Sequence, residues 1–186
     1  MPNWCHNKVE INGSINDVTA LVEKGMQNKE KEFSMECFFP TPEEDNGEPF
    51  KGWYGWRVAN WGTKWDMSEP RLEKISPKVI QLDYETAWGP NFEFWESISA
   101  DYPSLKINHR YSEGGCIFCG EFDYTKGERE EVFESDCNSS QEYHDALIDI
   151  RFNDEAEYVA EYIAEEEAEE LMSVGLTVEE VAEGKE

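Results

Sequence analysis

The carboxylates of this chain are unevenly spread, and that asymmetry limits where a core can form. Residues 1–125 hold 21 acids and 12 bases, a net charge of −9. Residues 126–186 hold 21 acids and 4 bases, a net of −17. A segment with that excess of one sign cannot bury most of its side chains, because an unpaired carboxylate is expensive to remove from water. The core therefore has to come from the first two-thirds. Material for it is present, because most of the 7 Trp, 8 Tyr and 10 Phe precede residue 126, and aromatic rings bury a large area each. A length of 186 residues suits one domain with a small appendage. The expectation is a domain at 1–125 that folds without the remainder, followed by an acidic, partly helical extension at 126–186.

Charge also bounds function. A net charge of −26 repels phosphate backbones and anionic lipid headgroups and attracts basic protein patches. Direct nucleic-acid binding and membrane binding are both disfavoured. The opening Met1–His6 lacks the basic and apolar regions of a signal peptide, and no apolar run reaches the ~18–20 residues that span a bilayer. The five cysteines, Cys5, Cys37, Cys116, Cys119 and Cys137, are odd in number and irregular in spacing. They read as reduced thiols of a cytoplasmic protein.

Local patterns give an element order. Cys5, Asn7, Val9 and Ile11 alternate as a first strand, closed by Asn12-Gly13. Ser14 is placed to cap a helix to about Met26, weakened in its last turn by Gly25. Met35–Phe39 reads as a short strand stopped by Pro40 and Pro42, and Glu43–Pro49 as an acidic loop. An aromatic block spans Trp53–Asp66. A strand at Val79–Tyr84, a helix from about Asn91 to Asp101, and a hairpin of Leu105–Tyr111 with Cys116–Tyr124 come next. Residues 126–150 carry no clear pattern. Tyr158, Val159, Tyr162, Ile163, Leu171 and Met172 recur at helical spacing over 154–172, and Thr177–Glu180 resembles a capping box. Two helices interleaved with antiparallel strands predict a two-layer α+β sandwich with helices on one sheet face.

Four stretches carry a resemblance: Met1–Asn7 (Met-Pro-Asn-Trp-Cys-His-Asn), Asn60–Asp66 (Asn-Trp-Gly-Thr-Lys-Trp-Asp), Thr86–Pro90, and Tyr111, Glu113, Gly115, Phe118 and Gly120 in the hairpin. Together they resemble the YubB ferredoxin-like domain family of phages, plasmids and bacterial genomes, over about residues 1–125. The resemblance implies a ferredoxin-like sandwich and a mobile-element setting. It implies no enzymatic activity and no iron–sulfur cluster.

Two regions are candidate sites. In the aromatic block, Trp61 and Trp65 lie four apart and share a face. With Trp88 they are rings on which a base, a nucleotide or a partner could stack, oriented by Asn60, Thr63, Lys64 and Asp66. The alternative is a loop folded over the core with its indoles hydrogen-bonded locally. In the extension, Glu155, Glu161, Glu165, Glu166, Glu167, Glu169 and Glu170 on one helix spread charge over roughly 22 Å. Three readings of that face stay open: a solubilising surface, a surface for a basic partner, or a mimic of nucleic acid.

Other chemistry is weakly signalled. Cys116 and Cys119 form a single C-x-x-C, whereas a closed zinc site needs four ligands, so no metal and no cofactor are expected. His6, His109 and His144 have no sequence context that makes a Cys–His nucleophile with Cys5 or Cys119. The leading expectation is a non-enzymatic binding protein of a phage or other mobile element. Its acidic surface would engage a basic, nucleic-acid-binding host protein, as a DNA mimic or an inhibitor of a defence system. The alternative is a small-molecule or nucleotide module, or an enzyme, centred on residues 53–66.

Overall fold

Alternation drives the central strands. In β1 (Trp4–Asn12), Cys5, Asn7, Val9 and Ile11 are buried and their neighbours are not. The computed structural model describes residues 3–43 and 52–173. The acidic loop expected at 43–49, beyond Glu43 itself, and the capping box at 177–180 lie outside the described residues. Helix α1 (Ile15–Gly25) begins where Ser14 Oγ accepts from the Asp17 amide at 3.1 Å, with Asp17 in its first turn and Lys24 in its last. Gly25 is needed rather than merely tolerated, because a Cβ there would strike the Phe33 ring.

Met35–Cys37 is a single 3-10 turn and not the expected strand. Asp66 explains this: its carboxylate accepts from Ser34 Oγ at 2.6 Å and from the Met35 amide at 2.8 Å. The Met35 amide is claimed before a strand ladder can use it, and Pro40 and Pro42 prevent the residues after the turn from pairing. The aromatic block opens as α2 (Gly52–Trp61). Next come β2 (Ser68–Ser76), β3 (Val79–Ala87), α3 (Phe92–Asp101), β4 (Lys106–Glu113) and β5 (Phe118–Thr125). The chain continues through β6 (Glu128–Asp136), α4 (Ser140–Asp149) and α5 (Asn153–Ser173).

The strands form one antiparallel sheet in the order β2-β3-β1-β4-β5-β6. The segment β1-α1-β2-β3-α3-β4 is the ferredoxin-like βαββαβ arrangement, and β5 and β6 extend it as a meander. The sheet therefore runs across the 125/126 boundary expected from charge, since β5 pairs with β6 from Thr125↔Glu128 to Phe118↔Asp136. Both outer strands are rich in charge: β2 carries Pro70 and a register shift, and β6 is exposed along most of its length. Such features keep a sheet edge from pairing with another chain.

Two cores lie on opposite faces of this sheet. The front core packs Val9, Ile11, Leu82 and Ile107 against Leu21 of α1 and Phe94, Trp95 and Ile98 of α3. On β5, Phe122 and Tyr124 point to the front and Cys119 to the back. The back core joins Cys119 to Tyr143, Leu147, Ile150, Phe152, Ala156 and Val159. Helices α1 and α3 thus occupy one face, as the two-layer expectation has it, while the C-terminal extension docks on the other. Lys8 Nζ donates to Asp154 at 2.9 Å and lies 4.7 Å from the centre of the Phe152 ring, and Arg151 pairs with Glu121 at 3.2 Å.

Candidate functional site

Asn7 and Thr86, from two of the stretches that carry the resemblance, join a buried polar network within the front core. Asn7 Nδ2 donates to Thr86 Oγ1 at 2.8 Å, and Thr86 donates to the Gly89 carbonyl at 2.7 Å. Asn7 Oδ1 can only accept, so the His109 Nε2 at 2.8 Å is its donor, and His109 Nδ1 faces the Tyr124 hydroxyl at 3.3 Å. Burial holds His109 neutral by pushing its pKa down to about 3. Tyr84 donates to Asn91 at 2.6 Å and accepts from Trp95 Nε1 at 2.8 Å. In the hairpin, Tyr111 stands opposite Gly120, where a Cβ would come within 2.6 Å of its hydroxyl. Glu113 caps the turn by accepting from the amides of Gly115 at 2.9 Å and Cys116 at 2.7 Å.

The aromatic block separates into two roles. Trp61 is fully buried and donates its indole N–H to the Phe39 carbonyl at 3.0 Å. Asn60 donates to the Trp56 carbonyl one turn back at 2.8 Å, and the buried Thr63 donates to the Ala87 carbonyl at 3.4 Å. Asp66 also accepts from the Met67 amide at 2.9 Å and faces Lys31 at 3.4 Å. These four residues shape the chain. Lys64, Trp65 and Trp88 instead reach the surface, where β1 begins and β3 ends. The Lys64 ammonium sits 3.8 Å from the Trp65 ring centre and 3.6 Å from that of Trp88, and Trp4 lies 5.9 Å from Trp65. Trp88 holds φ at +71°, an unusual backbone setting for a large side chain.

The acidic helix is α5. Glu161, Glu165, Glu166 and Glu169 are exposed, while Glu155 is half-buried. Glu167 and Glu170 lie on the same helix. A feature not foreseen from sequence sits beside Glu155: a cavity of about 280 Å³ between the turn joining β4 to β5 and the start of α5, lined by Gly114, Ile117, Tyr143, Glu155, Tyr158 and Tyr162. No local sequence signal marks it, because its walls are about 40 residues apart in the chain.

Cys5, Cys116 and Cys119 are poor nucleophiles. Burial pushes the Cys119 thiol up to about 12 and raises Cys5 well above its usual range, and the Glu113 carboxylate raises the exposed Cys116. A catalytic thiol needs the opposite shift. His109 faces Asn7 and Tyr124 rather than a thiol. Among the described residues no three His, Cys, Asp or Glu side chains are grouped as a metal site requires, and no helix is long and apolar enough to cross a membrane. The open part of the back sheet face presents Glu10, Asp83, Glu85 and Asp123. RNA-binding sandwiches place stacking aromatics on the corresponding face.

Comparison with known proteins finds similarity over part of the chain. Residues 60–151 match the family described as the ferredoxin-like domain in Api92-like protein. That match starts and ends later than the 1–125 read from motifs, and it takes in β6 and α4. The uncharacterized protein YubB of Escherichia coli (strain K12) is 32% identical over 89 residues, which cover 47% of this chain and 59% of YubB. The crystal structure of a protein api92 from Yersinia pseudotuberculosis aligns with a TM-score of 0.40 at 17% identity, over 50% of this chain and 32% of that one. The chain thus spans little more than half of YubB and about a third of api92. Residues 60–151 thus match a ferredoxin-like domain of the Api92-like kind, and the chain is similar over 89 residues to YubB.

Proposed function

We propose that this is a non-enzymatic binding protein whose acidic C-terminal face engages a basic protein that itself handles nucleic acid. The observation that carries the reading is the make-up of α5. Ala156 and Val159 are buried against α4, while Glu157, Glu161, Glu165 and Glu169 form an exposed row one turn apart, ~6 Å between residues. The helix contains no lysine or arginine. Like charges at i,i+4 destabilise a helix, and acids near its C-terminus oppose the macrodipole. This row therefore works against the helix that carries it, and a basic partner relieves the repulsion.

The test uses an arginine-rich DNA-binding peptide at physiological ionic strength. Association should weaken steeply with added salt, mainly through the on-rate. Changing Glu161, Glu165 and Glu169 to Lys should slow it without unfolding the protein. The same change at Glu23, Glu30 and Asp101, on the far side of the sheet, should do much less. Duplex DNA competing for the peptide supports mimicry of nucleic acid. A gel shift of duplex DNA by the protein alone would refute the reading, as would indifference to the α5 reversal.

A second reading, a site for a flat ligand at Trp65 and Trp88, is favoured by their exposure. The space between them is filled by Lys64, so a nucleotide would have to displace it. Quenching of tryptophan fluorescence by a nucleotide, lost in Trp88→Ala, is the measurement that supports it.

A further inference from the structure

We propose that the cavity between the β4–β5 turn and α5 anchors one cationic side chain, a guanidinium or ammonium, of the basic partner. This rests on the acidic-face reading above and names its central contact. The cavity volume of about 280 Å³ suits one long side chain rather than a larger ligand. It is lined by Tyr143, Tyr158 and Tyr162 together with Ile117 and Glu155. A Cβ on Gly114 would stand 3.8 Å from Glu155 Oε1 and 3.9 Å from the Tyr143 hydroxyl. The carboxylate and the hydroxyl therefore look onto the same space.

Tyr143 supplies an independent pointer to a ligand. It is 1% exposed, yet its hydroxyl has no hydrogen-bond partner of acceptable geometry among the described residues, although Ser112 Oγ, equally unpartnered, lies beside it. A buried hydroxyl without a partner is costly and uncommon. A guanidinium brings several N–H donors to a site that offers a carboxylate, the Tyr143 hydroxyl oxygen and ring faces. An anion would meet Glu155 and the exposed carboxylates beyond it. An apolar ligand would strip water from Glu155 and give nothing back.

The same chemistry recurs elsewhere in this molecule, where Lys64 lies on two indoles and Lys8 on Phe152. At the cavity mouth, Tyr158 and Tyr162 are 67% and 47% exposed, so an incoming side chain can reach their rings. Tyr162 donates to Glu166 at 2.7 Å, which ties the mouth to the acidic row.

The experiment compares the arginine-rich peptide with an analogue in which one or more arginines are replaced by neutral, equally shaped citrulline. N-acetylarginine methylamide, followed by amide NMR shifts at Gly114 and Ile117, probes the cavity alone. Tyr158→Ala and Glu155→Gln should each weaken peptide binding about five- to tenfold with an unchanged melting temperature. Gly114→Leu, which fills the space, should abolish the shifts caused by N-acetylarginine methylamide. If the peptide binds and responds to the Glu161, Glu165 and Glu169 reversal but not to these three variants, the cavity is no anchor and the acidic face stands alone. Equal binding of the citrulline analogue also overturns the cavity proposal. If no variant and no wild-type protein binds the peptide, both readings fail.

Discussion

The two faces of the sheet differ in how completely they are satisfied. On the front, the larger core is sealed by aromatic rings, and Asn7, Thr86, His109, Tyr84, Asn91 and Trp95 satisfy one another. On the back, a small apolar cluster sits beneath two acidic helices. The buried side-chain atoms left without partners among the described residues are Arg110 Nε, Ser112 Oγ and Tyr143 OH. Arg110 and Ser112 alternate with the front-facing His109 and Tyr111, so all three atoms belong to the back. The front is devoted to holding the fold. The back keeps unused hydrogen-bonding capacity, the cavity beside Glu155 and the acidic row of α5.

If the front is the stabilising face, the largest effect of any single change should fall at Trp61. Replacing this fully buried indole by alanine removes a core ring and its bond to the Phe39 carbonyl. The expected loss is about 3–5 kcal/mol, read from urea unfolding. A loss below about 1 kcal/mol would mean that stability resides elsewhere.

Leu147, fully buried in the back cluster, should give a smaller and more local effect. Leu147→Ala is expected to cost about 2–3 kcal/mol. Hydrogen exchange should then show α4 and α5 opening while β1 and β3 remain protected, as for a region of lower local stability. Uniform loss of protection over both faces would show that the two cores unfold as one.

His109 tests the front by pH. Its folded pKa of about 3 lies below the ordinary value of 6.5, so the unfolded chain binds the proton first as pH falls. The stability due to the neutral ring is present above about pH 6.5 and is lost progressively towards pH 3. Between about pH 6.5 and 5 the loss is on the order of 1–2 kcal/mol. The ring faces Asn7, Tyr124, Phe92 and Tyr111, none of which changes charge in that range. His109→Gln should lose less stability than wild type over the same interval, and equal losses would count against a buried neutral imidazole.

Legibility in the sequence divides along similar lines. Strand β1, helix α1 with its Ser14 cap, α3 and the β4–β5 hairpin depend on local periodicity, and their patterns predict them. Strands β2 and β6 are charged sheet edges without clean alternation, so nothing local marks them. The Met35 turn is set by Asp66, 31 residues away. The acidic row of α5 is readable from composition, whereas the half-burial of Glu155 against Gly114 depends on how α5 docks. The spacing of Trp61 and Trp65 gives them one face and cannot say which is buried. That is decided by the Phe39 carbonyl on one side and the Trp4 ring on the other.

Trp65 therefore gives the smallest expected effect and the sharpest internal control for Trp61. Its ring is 37% exposed, and its partners are the Lys64 ammonium and the Trp4 ring. An exposed cation–π contact is worth about 0.5–1 kcal/mol. Lys64 also keeps its second ring, Trp88, when Trp65 is removed. Trp65→Ala should thus cost no more than about 1 kcal/mol, several-fold less than the same change four residues earlier. Adding Trp88→Ala frees Lys64 entirely, and the double variant should approach the sum of the two single losses plus the residual contact. If Trp65→Ala instead costs as much as Trp61→Ala, the indole pair at the sheet end is part of the front core and no surface is left there for a ligand. If the double variant matches wild type in stability while nucleotide quenching disappears, the slot is a binding site that the resident lysine keeps filled.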